Sequence, residues 1–529
     1  MSISPVQYQL PDNWDIKKSV EFLGSGFSTE VEPEYLAGRV FYDSFDWRLY
    51  LGGYALAVES RGSVRQLLLS ALENRAPLAQ LDLTTDIPCF AWDVPDPALR
   101  ERLAGLLAMR AVIPQVEVRL RCTEIRLLDE ERKTVLRMLL EEGRAGVPGK
   151  QPQAALGIWL TLMPVKGYGR WLSNMQRYLM DEFDLEEAET TSLEQALAAI
   201  GRQPADYSSK LNFSLEPESR ADTVAKQIHL HLLNTLELNI AGTKADTDSE
   251  FLHDLRVAVR RSRSALTQIK GVFPEQELEH FKSRLSWIGQ ITGPTRDLDV
   301  YLLGFRDYQA TLPERFQADL EPLHRFLVTH QRQEHQTLVR KINSPHFRKL
   351  LKEWRDFLEA PVPEVSQTAS GNAPIKSLAD KRIYRMFKRV LKEGLEIEPG
   401  SPHEMLHELR KSCKKLRYLL EFFQSLYPEK EVKALVKVLK KLLDNLGDFQ
   451  DLEVQAFKLR EFAHQMVTEG EVPADTLLAM GMLVDGLLRR QQQAREVFSS
   501  RLDSFASDEN RENYQRLFTA GKTKPEAVA

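Results

Sequence analysis

Cysteine is scarce in this sequence, and a long apolar run is missing. The 529 residues include three cysteines, Cys89, Cys122 and Cys413, which lie far apart and without C-x-x-C spacing. We therefore expect neither a disulfide framework nor a zinc knuckle, and a reducing cytoplasm is the simplest setting. The most apolar late stretch, residues 476–485, is short and contains a charge. A membrane span needs about 20 apolar residues, so none is expected.

An excess of basic charge is also missing. Lys and Arg number 71 against 76 Asp and Glu, which gives a net charge of −5 and excludes a globally basic nucleic-acid coat protein. A local basic patch is still allowed, because clustered charges cancel in the total. Residues 1–8 contain no basic segment followed by an apolar core, so we expect no secretory signal and a soluble, cytoplasmic protein. The sequence has no P-loop, G-x-S-x-G or H-E-x-x-H motif.

The pattern of apolar and polar residues changes near residue 210. Before it, residues 116–122 and 133–143 alternate apolar and polar side chains, which predicts two strands joined by a hairpin at 128–132. Residues 97–109 are predicted as a helix with proline in its first turn. After residue 220, apolar residues recur at helical spacing almost without interruption. The segment from Ala360 to Pro374 is rich in Pro, Ser and Gly and predicts a flexible linker.

The helical half contains an internal repeat. The segment His253-Asp-Leu-Arg-Val-Ala-Val-Arg-Arg-Ser-Arg263 aligns with His407-Glu-Leu-Arg-Lys-Ser-Cys-Lys-Lys-Leu-Arg417, and residues 291–300 align with 445–454. Both matches have the same offset of 154 residues, without a gap. We conclude that this half is a tandem duplication, most simply two bundles related by a pseudo-two-fold axis.

Each copy carries a stripe of basic side chains on one helical face. In the first copy His253, Arg256, Arg260 and Arg263 share a face, and Arg261 flanks them; in the second copy His407, Arg410, Lys414 and Arg417 do so, flanked by Lys411 and Lys415. Like charges at this spacing destabilise a helix by a few tenths of a kcal/mol per pair, a cost that a bound polyanion would offset. A third basic cluster, residues 381–389, contains Arg382, Arg385 and Arg389.

Structural explanations of the stripes remain open. A basic helical face is often solvated or paired with acids, and Asp297, Asp299, Asp451 and Glu453 are candidate partners. The two histidines are possible metal ligands, but no Cys, His or Asp cluster at ligand spacing accompanies them, so no metal or cofactor is predicted. Gly293 and Gly447 are predicted to end their helices as caps with positive φ.

The duplicated motif, H-x-x-R-x-x-x-R/K-R/K-x-R followed by G-x-x-R/Q-D-L-D/E-V, resembles the CHAD family, the conserved histidine α-helical domain. The resemblance covers about residues 220–505. It implies two pseudo-symmetric four-helix bundles with a basic cleft, and a protein that binds inorganic polyphosphate and occurs on polyphosphate granules. The polyphosphate-binding residues it implies are the eleven stripe residues named above, to which we add Arg382, Arg385 and Arg389. Gln450 departs from the first copy, which has Arg296.

The first half is similar to the CYTH family, whose members are antiparallel β-tunnels that hydrolyse or cyclise triphosphates. The similarity rests on the segment from Phe41 to Leu56, on residues 114–121 and on residues 162–168. CYTH catalysis uses an E-x-E-x-K strand that binds divalent metal, whereas the corresponding residues 5–11 contain no acid, and Leu139 stands where a further acid is common. Arg119, Arg121 and Asp93 are retained, but one acid does not build a two-metal site.

The sequence therefore predicts an α+β, tunnel-like, degenerate CYTH domain over residues 1–210, and an all-α CHAD domain over residues 216–505. Its repeats are expected at about 220–355 and 375–505, with the linker at 360–375 and a tail at 506–529. The predicted function is non-enzymatic binding of inorganic polyphosphate, without catalytic residues, membrane contact or a preference for nucleic acid. The alternative is a metal-dependent inorganic triphosphatase or polyphosphatase that acts through the first domain.

Overall fold

The computed structural model of the chain describes residues 4–11, 14, 28–84, 87–211, 214–470 and 472–519. It divides into two compact units, Met1–Ser208 and Ser209–Ala529. Residues 1–3 of the examined N-terminus and residues 520–529 of the expected tail lie outside the described residues. Among the helices that the structure describes, none is long and apolar enough to span a membrane.

The first unit is built around one antiparallel sheet that curls into a half-barrel. Over the described residues the strand order is β1-β9-β8-β7-β3-β4-β5-β6, with β2 paired to β7. The strands are β1 (Val6–Leu10), β2 (Ser28–Val31), β3 (Tyr35–Asp43), β4 (Tyr54–Arg61), β5 (Val64–Ala71), β6 (Pro77–Asp82), β7 (Ile113–Leu128), β8 (Thr134–Gly146) and β9 (Ala154–Pro164). The helices are α1 (Arg48–Leu51), α2 (Pro97–Leu107), α3 (Gly169–Phe183) and α4 (Ser192–Ala199). The predicted helix and hairpin are present, and both hairpin strands are longer than predicted.

The alternation in β7 assigns its side chains to two faces of the sheet. Val116, Val118, Leu120 and Cys122 are buried, and they pack with residues of α4 on the inner face. Arg119 and Arg121 alternate with them and lie on the opposite, exposed face. Because side chains directly opposite each other on neighbouring strands share a face, this alternation also places residues of β3, β4 and β8 on the inner face.

The second unit contains helices and no strand among its described residues. The first copy supplies α5 (Ala221–Leu238), α6 (Ile240–Ala245), α7 (Ser249–Gln268), α8 (Glu275–Ile291), α9 (Gly293–Leu303), α10 (Phe305–Thr311), α11 (Glu314–Gln317), α12 (Glu321–Ile342) and α13 (Pro345–Glu359). The second supplies α14 (Ile375–Leu395), α15 (His403–Phe423), α16 (Glu429–Glu469), α17 (Ala474–Phe505) and α18 (Asp508–Thr519). The predicted fold class, an α+β sheet domain followed by an all-α domain, is confirmed.

The two copies keep the sequence offset in their helix starts. The helices α14, α15 and α16 each begin 154 residues after α5, α7 and α8. The copies differ where α16 runs without a break past Gly447, whereas the first copy ends α8 at Ile291 and begins α9 at Gly293. Pro294 follows that glycine in the first copy, and the second copy has Asp448 instead. Because proline has no N–H and its ring clashes with the preceding turn, it interrupts the helix there.

Contacts between equivalent residues locate the pseudo-two-fold axis. Arg220 forms an antiparallel bridge with Pro374, its own equivalent in the second copy. The backbone N–H of Ala221 donates to the carbonyl of Ala373, and the symmetry-related N–H of Ile375 donates to the carbonyl of Ser219. A contact of a residue with its own equivalent arises where a two-fold axis passes between the copies.

These bonds correct the expectation of a flexible linker at residues 360–375. The end of this segment pairs with the residues before α5, and the side chain of Arg220 donates to the carbonyl of Glu364. The N–H of Ser370 also donates to the carbonyl of Gly271. Pro, Ser and Gly here supply turns that are bonded to the first copy.

The two copies share their hydrophobic cores. The larger core contains buried residues of α5, α7, α8, α13, α14, α15, α16 and α18, and a second core joins α9 and α12 to the later parts of α16 and α17. Although residues 506–529 were expected to form a tail, Asp508–Thr519 is a helix that buries Tyr514 and Phe518 in the larger core.

His229 on α5 is a polar residue within this apolar core. Its ring is fully buried and lies 5.1 Å from the ring of Trp354 and 5.9 Å from that of Phe273. Neither ring nitrogen has a hydrogen-bond partner among the described residues, and burial lowers the pKa of the ring to about 3. The equivalent residue in the second copy is Ile383. An unpaired buried polar group destabilises the folded state.

We predict that His229→Ile stabilises the chain by about 1–3 kcal/mol, since it removes unsatisfied polar atoms and keeps the volume apolar. In the wild type, His229 binds a proton below about pH 6.5 in the unfolded state, whereas in the folded state it binds one only below about pH 3. The gain from the variant should therefore grow as the pH falls from 7 to 5. Urea unfolding at both pH values measures it, with the exposed His280→Gln as control. Destabilisation, or a gain independent of pH, would contradict this prediction.

Candidate functional site

The basic stripes of the two copies meet at one cavity of the helical unit. The helices α7 and α15 pack against each other, and a cavity of about 520 Å³ opens beside them. We call it the shared cavity. Its predicted site residues are His253, Arg260, Arg261, Arg410, Lys414 and Arg417. Three come from each copy, so the duplication places both stripes at a single site.

The other predicted residues do not line this cavity: Arg256, Arg263, Arg382, Arg385, Arg389, His407, Lys411 and Lys415. Arg263 and His407 are exposed. Arg389 and Lys411 form ion pairs with Glu393 and Glu408. Arg382 donates to the carbonyl of Lys270. The structure thus separates a converging group of cations from cations that face elsewhere.

The arginines of the shared cavity are held by partners that sequence reasoning missed. Arg260 donates through Nε to the hydroxyl of Tyr418 at 2.8 Å. Arg261 and Arg417 both bond to Glu421, at 3.1 and 2.6 Å. Because these bonds cross between α7 and α15 or run along α15, they fix the guanidinium groups in place before any ligand arrives.

Arg410 and Arg256 occupy equivalent positions with different partners. Arg410 donates to Gln450 at 2.9 Å and pairs with Asp451 at 3.0 Å. Arg256 donates to the carbonyl of Gly289 and to the hydroxyl of Thr292 instead. Asp451 is therefore one of the acidic partners considered above, and Gln450 accepts a hydrogen bond where its equivalent, Arg296, would repel.

The glycines of the motif do not cap their helices. Gly293 begins α9 and Gly447 lies inside α16, and neither has a positive φ. An added Cβ at Gly293 would lie 3.6 Å from Arg256, and one at Gly447 would lie 3.5 Å from Arg410. The expectation of C-caps is wrong, and both glycines instead lie against an arginine of their own copy.

The remaining candidate acids have other roles. Burial raises the pKa of Asp299 to about 6, and its carboxylate accepts a hydrogen bond from Gln331 at 3.0 Å. Burial also raises the pKa of Asp297, and Arg256 acts against that rise. Glu453 contacts the ring of His403 at 2.7 Å. The acids that pair with the cavity cations are therefore Asp451 and Glu421.

Lys414 differs from the other cations of the shared cavity. Its ammonium makes no hydrogen bond or ion pair with another residue in the part of the chain that the structure describes. Burial is the largest cause that lowers the pKa of its ammonium to about 8; Arg410 and Arg260 also lower it, and Asp451 opposes them. A bound anion would offset the repulsion from these neighbouring arginines.

Acidic side chains also face the shared cavity. Asp444, Asp448 and Asp451 come from α16, and Asp254 comes from α7. The three on α16 are spaced at i, i+4 and i+7, so the sequence contained a signal for a common acidic face. Burial raises the pKa of Asp448, and Asp444 and Asp451 add to that effect. No group of three or more His, Cys, Asp and Glu among the described residues has a metal-binding arrangement.

In the first unit, the inner face of the sheet holds a buried ionic group. Arg39 on β3 bonds to Glu59 on β4 at 2.6 Å and to Glu141 on β8 at 2.7 Å. Burial alone would lower the pKa of Arg39, but Glu141 and Glu59 raise it above its ordinary value. Two cavities, of about 160 and 250 Å³, adjoin this group on either side of Arg39. Arg39, Glu59 and Glu141 were not proposed from the sequence as a combined site.

The retained CYTH-like residues lie elsewhere. Arg119 and Arg121 are on the opposite face of the sheet, and Asp93 accepts a hydrogen bond from the N–H of Phe90. The metal that the resemblance implies does not fit the inner face. β1 contributes the amide of Gln7 there instead of a carboxylate, and Arg39 engages both carboxylates. We therefore derive no chemical step through a metal.

Comparison with known proteins identifies the helical unit. Residues 227–460 match the family model described as the CHAD domain. This match supports the predicted CHAD domain within the helical unit, and the unit that precedes it has the predicted antiparallel sheet.

The chain is also similar to individual proteins. Uncharacterized protein Rv2226 of Mycobacterium tuberculosis is 27% identical over 299 residues, which are 53% of this chain and 55% of that protein. This chain thus matches about half the length of that relative. The crystal structure of the CHAD domain from Ricinus communis is 22% identical, with a TM-score of 0.46, over 55% of this chain and 94% of that one.

A further solved structure is relevant to the expectation of a non-enzymatic protein. It is the putative adenylyl cyclase HpAC1 from Hippeastrum, described as having a dominant triphosphatase activity. It is 12% identical, with a TM-score of 0.27, over 39% of this chain and 100% of that one. The expectation that this chain has no enzymatic activity is not retained.

We predict that Lys414→Met stabilises the ligand-free chain at pH 7. The pKa of Lys414 is about 8 in the folded chain and about 10.4 in the unfolded chain, so folding disfavours its proton. That penalty is complete below pH 8 and disappears as the pH rises toward 10.5. After allowance for solvent screening, the variant should gain on the order of 1 kcal/mol in the free energy of unfolding at pH 7. Denaturant unfolding at pH 7 and 10 checks it, and a gain that is larger at pH 10 would contradict the assignment.

Proposed function

We propose that this chain acts on inorganic polyphosphate, which the helical unit binds in the shared cavity. The observation that carries the proposal is the convergence of Arg260 and Arg261 from one copy with Arg410, Lys414 and Arg417 from the other. A polyphosphate has repeated charge and no base or sugar to be recognised. Planar guanidinium forks and ammonium groups are suited to its oxygens.

Binding would exchange internal partners for phosphate. Glu421 and Asp451 hold three of the arginines in the ligand-free chain, and a phosphate chain would compete for the free donors of the same guanidinium groups. Within the described residues, the Lys414 ammonium has no such partner to lose. The facing aspartates oppose binding, so affinity would depend on contacts with both copies at once. A protein that binds in this way would be carried on polyphosphate granules in the cytoplasm.

Paired substitutions test the shared cavity. Arg260→Ala with Lys414→Ala should weaken binding of long-chain polyphosphate to the full chain by more than about tenfold, because both copies lose a cation of the cavity. Arg263→Ala with Lys411→Ala removes the same charge from the same two helices outside the cavity, and should change the affinity by less than about threefold. Each lost cavity contact should also flatten the salt dependence of binding. Calorimetric titrations at several salt concentrations measure both effects. Equal losses in the two double variants would contradict the proposal.

We also propose a second activity, hydrolysis of condensed phosphates at the inner face of the first unit. The observation that favours it is Arg39, whose guanidinium lies between two carboxylates at the edge of two cavities. A guanidinium contributes to phosphoryl transfer by stabilising charge, and a carboxylate by orienting a water molecule. Glu59 is the more exposed of the two carboxylates and the one better placed to meet solvent.

Tripolyphosphate turnover tests this second activity. The full chain should release phosphate from tripolyphosphate, and Arg39→Ala should lower the rate by more than about tenfold, since it removes the positive charge from the inner face. Arg119→Ala, on the opposite face of the same sheet, should retain the wild-type rate. Rates with Mg²⁺ and with chelator show whether a metal takes part. An absence of turnover, or equal losses in the two variants, would refute the assignment.

A further inference from the structure

Lys414 combines access, an unpartnered amine and a cationic surrounding. Arg410 and Arg417 are bonded to carboxylates, and Arg260 is bonded to the hydroxyl of Tyr418. Among the cations of the shared cavity, Lys414 alone has no such bond within the described part of the chain. Its side chain is half-buried and borders the 520 Å³ opening. The amine is therefore reachable by a small molecule and is not held by a carboxylate.

Titratable groups of three helices line the cavity that this amine borders. On α15 they are Arg410 and Arg417, on α7 they are His253, Asp254, Arg260 and Arg261, and on α16 they are Asp444, Asp448 and Asp451. Burial is the largest cause of the lowered pKa of about 8, followed by Arg410 and Arg260. A lysine of ordinary pKa, about 10.4, is almost fully protonated at pH 8, whereas roughly half of Lys414 is the neutral, nucleophilic amine at that pH.

We propose that Lys414 is a modification site that is acylated by small acyl phosphates, which the surrounding arginines bind through their phosphate group. Guanidinium groups hold the phosphate dianion and place the acyl carbon beside Nζ. The neutral amine attacks the carbonyl carbon, a C–N bond forms and the bond from carbon to the phosphate oxygen breaks. Inorganic phosphate leaves with the proton that the amine loses, and the product is an amide. No oxidant, reductant or metal is required.

Acylation would remove one cation from the shared cavity. The acylated chain should therefore bind polyphosphate more weakly. This consequence rests on the proposed function, in which the shared cavity binds polyphosphate. The reaction itself does not depend on polyphosphate, since it needs only a site that holds one phosphate group. The two ideas therefore fail independently: Lys414 can be selectively acylated in a chain that does not bind polyphosphate.

Acetyl phosphate provides the test on the full chain at pH 8, with peptide mass spectrometry as the readout. Lys414 should be acetylated at least about tenfold faster than Lys437 and Lys440, which are exposed on α16. Inorganic phosphate should slow this reaction by competing for the arginines. The uncharged reagent p-nitrophenyl acetate serves as control, since it does not require phosphate docking. Its reaction with Lys414 should be unaffected by phosphate.

The variant Arg260→Gln provides a second test, because it removes one arginine of the shared cavity and leaves in place the arginines that are bonded to carboxylates. It should slow acetylation of Lys414 by acetyl phosphate more than acetylation by p-nitrophenyl acetate. Equal acetylation of Lys414, Lys437 and Lys440 by acetyl phosphate would overturn the proposal. The proposal would also be overturned if phosphate, or Arg260→Gln, changed the rates of Lys414 acetylation by the two reagents equally. The unfolding transition of the variant, measured alongside, shows that the comparison is made on folded protein.

Discussion

The approach of two positively charged helices, α7 and α15, is the constraint on which the rest of the helical unit depends. Both are the same element of a duplicated sequence, and the pseudo-two-fold axis brings them together. Symmetry that buries their apolar sides in one core also places their basic sides next to each other. Like charges at close range destabilise the fold unless they are paired, neutralised or deprotonated. In the structure Glu421 pairs with two arginines, and Lys414 has a lowered pKa, so it loses its proton more readily than an ordinary lysine.

The sequence predicted the pieces of this site better than their convergence. A constant offset of 154 residues is enough to infer duplication, and helical spacing is enough to place cations on a common face. Which cations converge depends on where the axis passes, and a single sequence does not contain that information. Arg256 and Arg410 illustrate this, since equivalent positions in the motif have different partners. Tyr418 was missed because its equivalent in the first copy, Ser264, suggests no shared role.

Other differences have local causes. From the sequence alone, a glycine within a helical pattern predicts a helix cap. Gly447 instead lies inside a helix, against the side chain of Arg410. The segment rich in Pro, Ser and Gly was expected to be flexible because its partners, the residues before α5, are distant in sequence. In the first unit, the alternation of side chains along β7 places Arg119 on the outer face of the sheet, whereas Arg39 lies on the inner face. Arg119 was therefore a poorer guide to the candidate site than Arg39. The pairing of Arg39 with Glu59 and Glu141 required the registers of three strand pairs, which involve β3, β4, β7 and β8.

The central claim is that cations from both copies form one polyanion site, and arginine footprinting tests it most directly. The full chain is treated with a dicarbonyl reagent that modifies arginine, with and without long-chain polyphosphate, and each modified residue is quantified by mass spectrometry. The account predicts joint protection of Arg260 and Arg417, with Arg263 and Arg385 still reactive. Protection that is confined to one copy, or that falls on Arg263 and Arg385 instead, would contradict it.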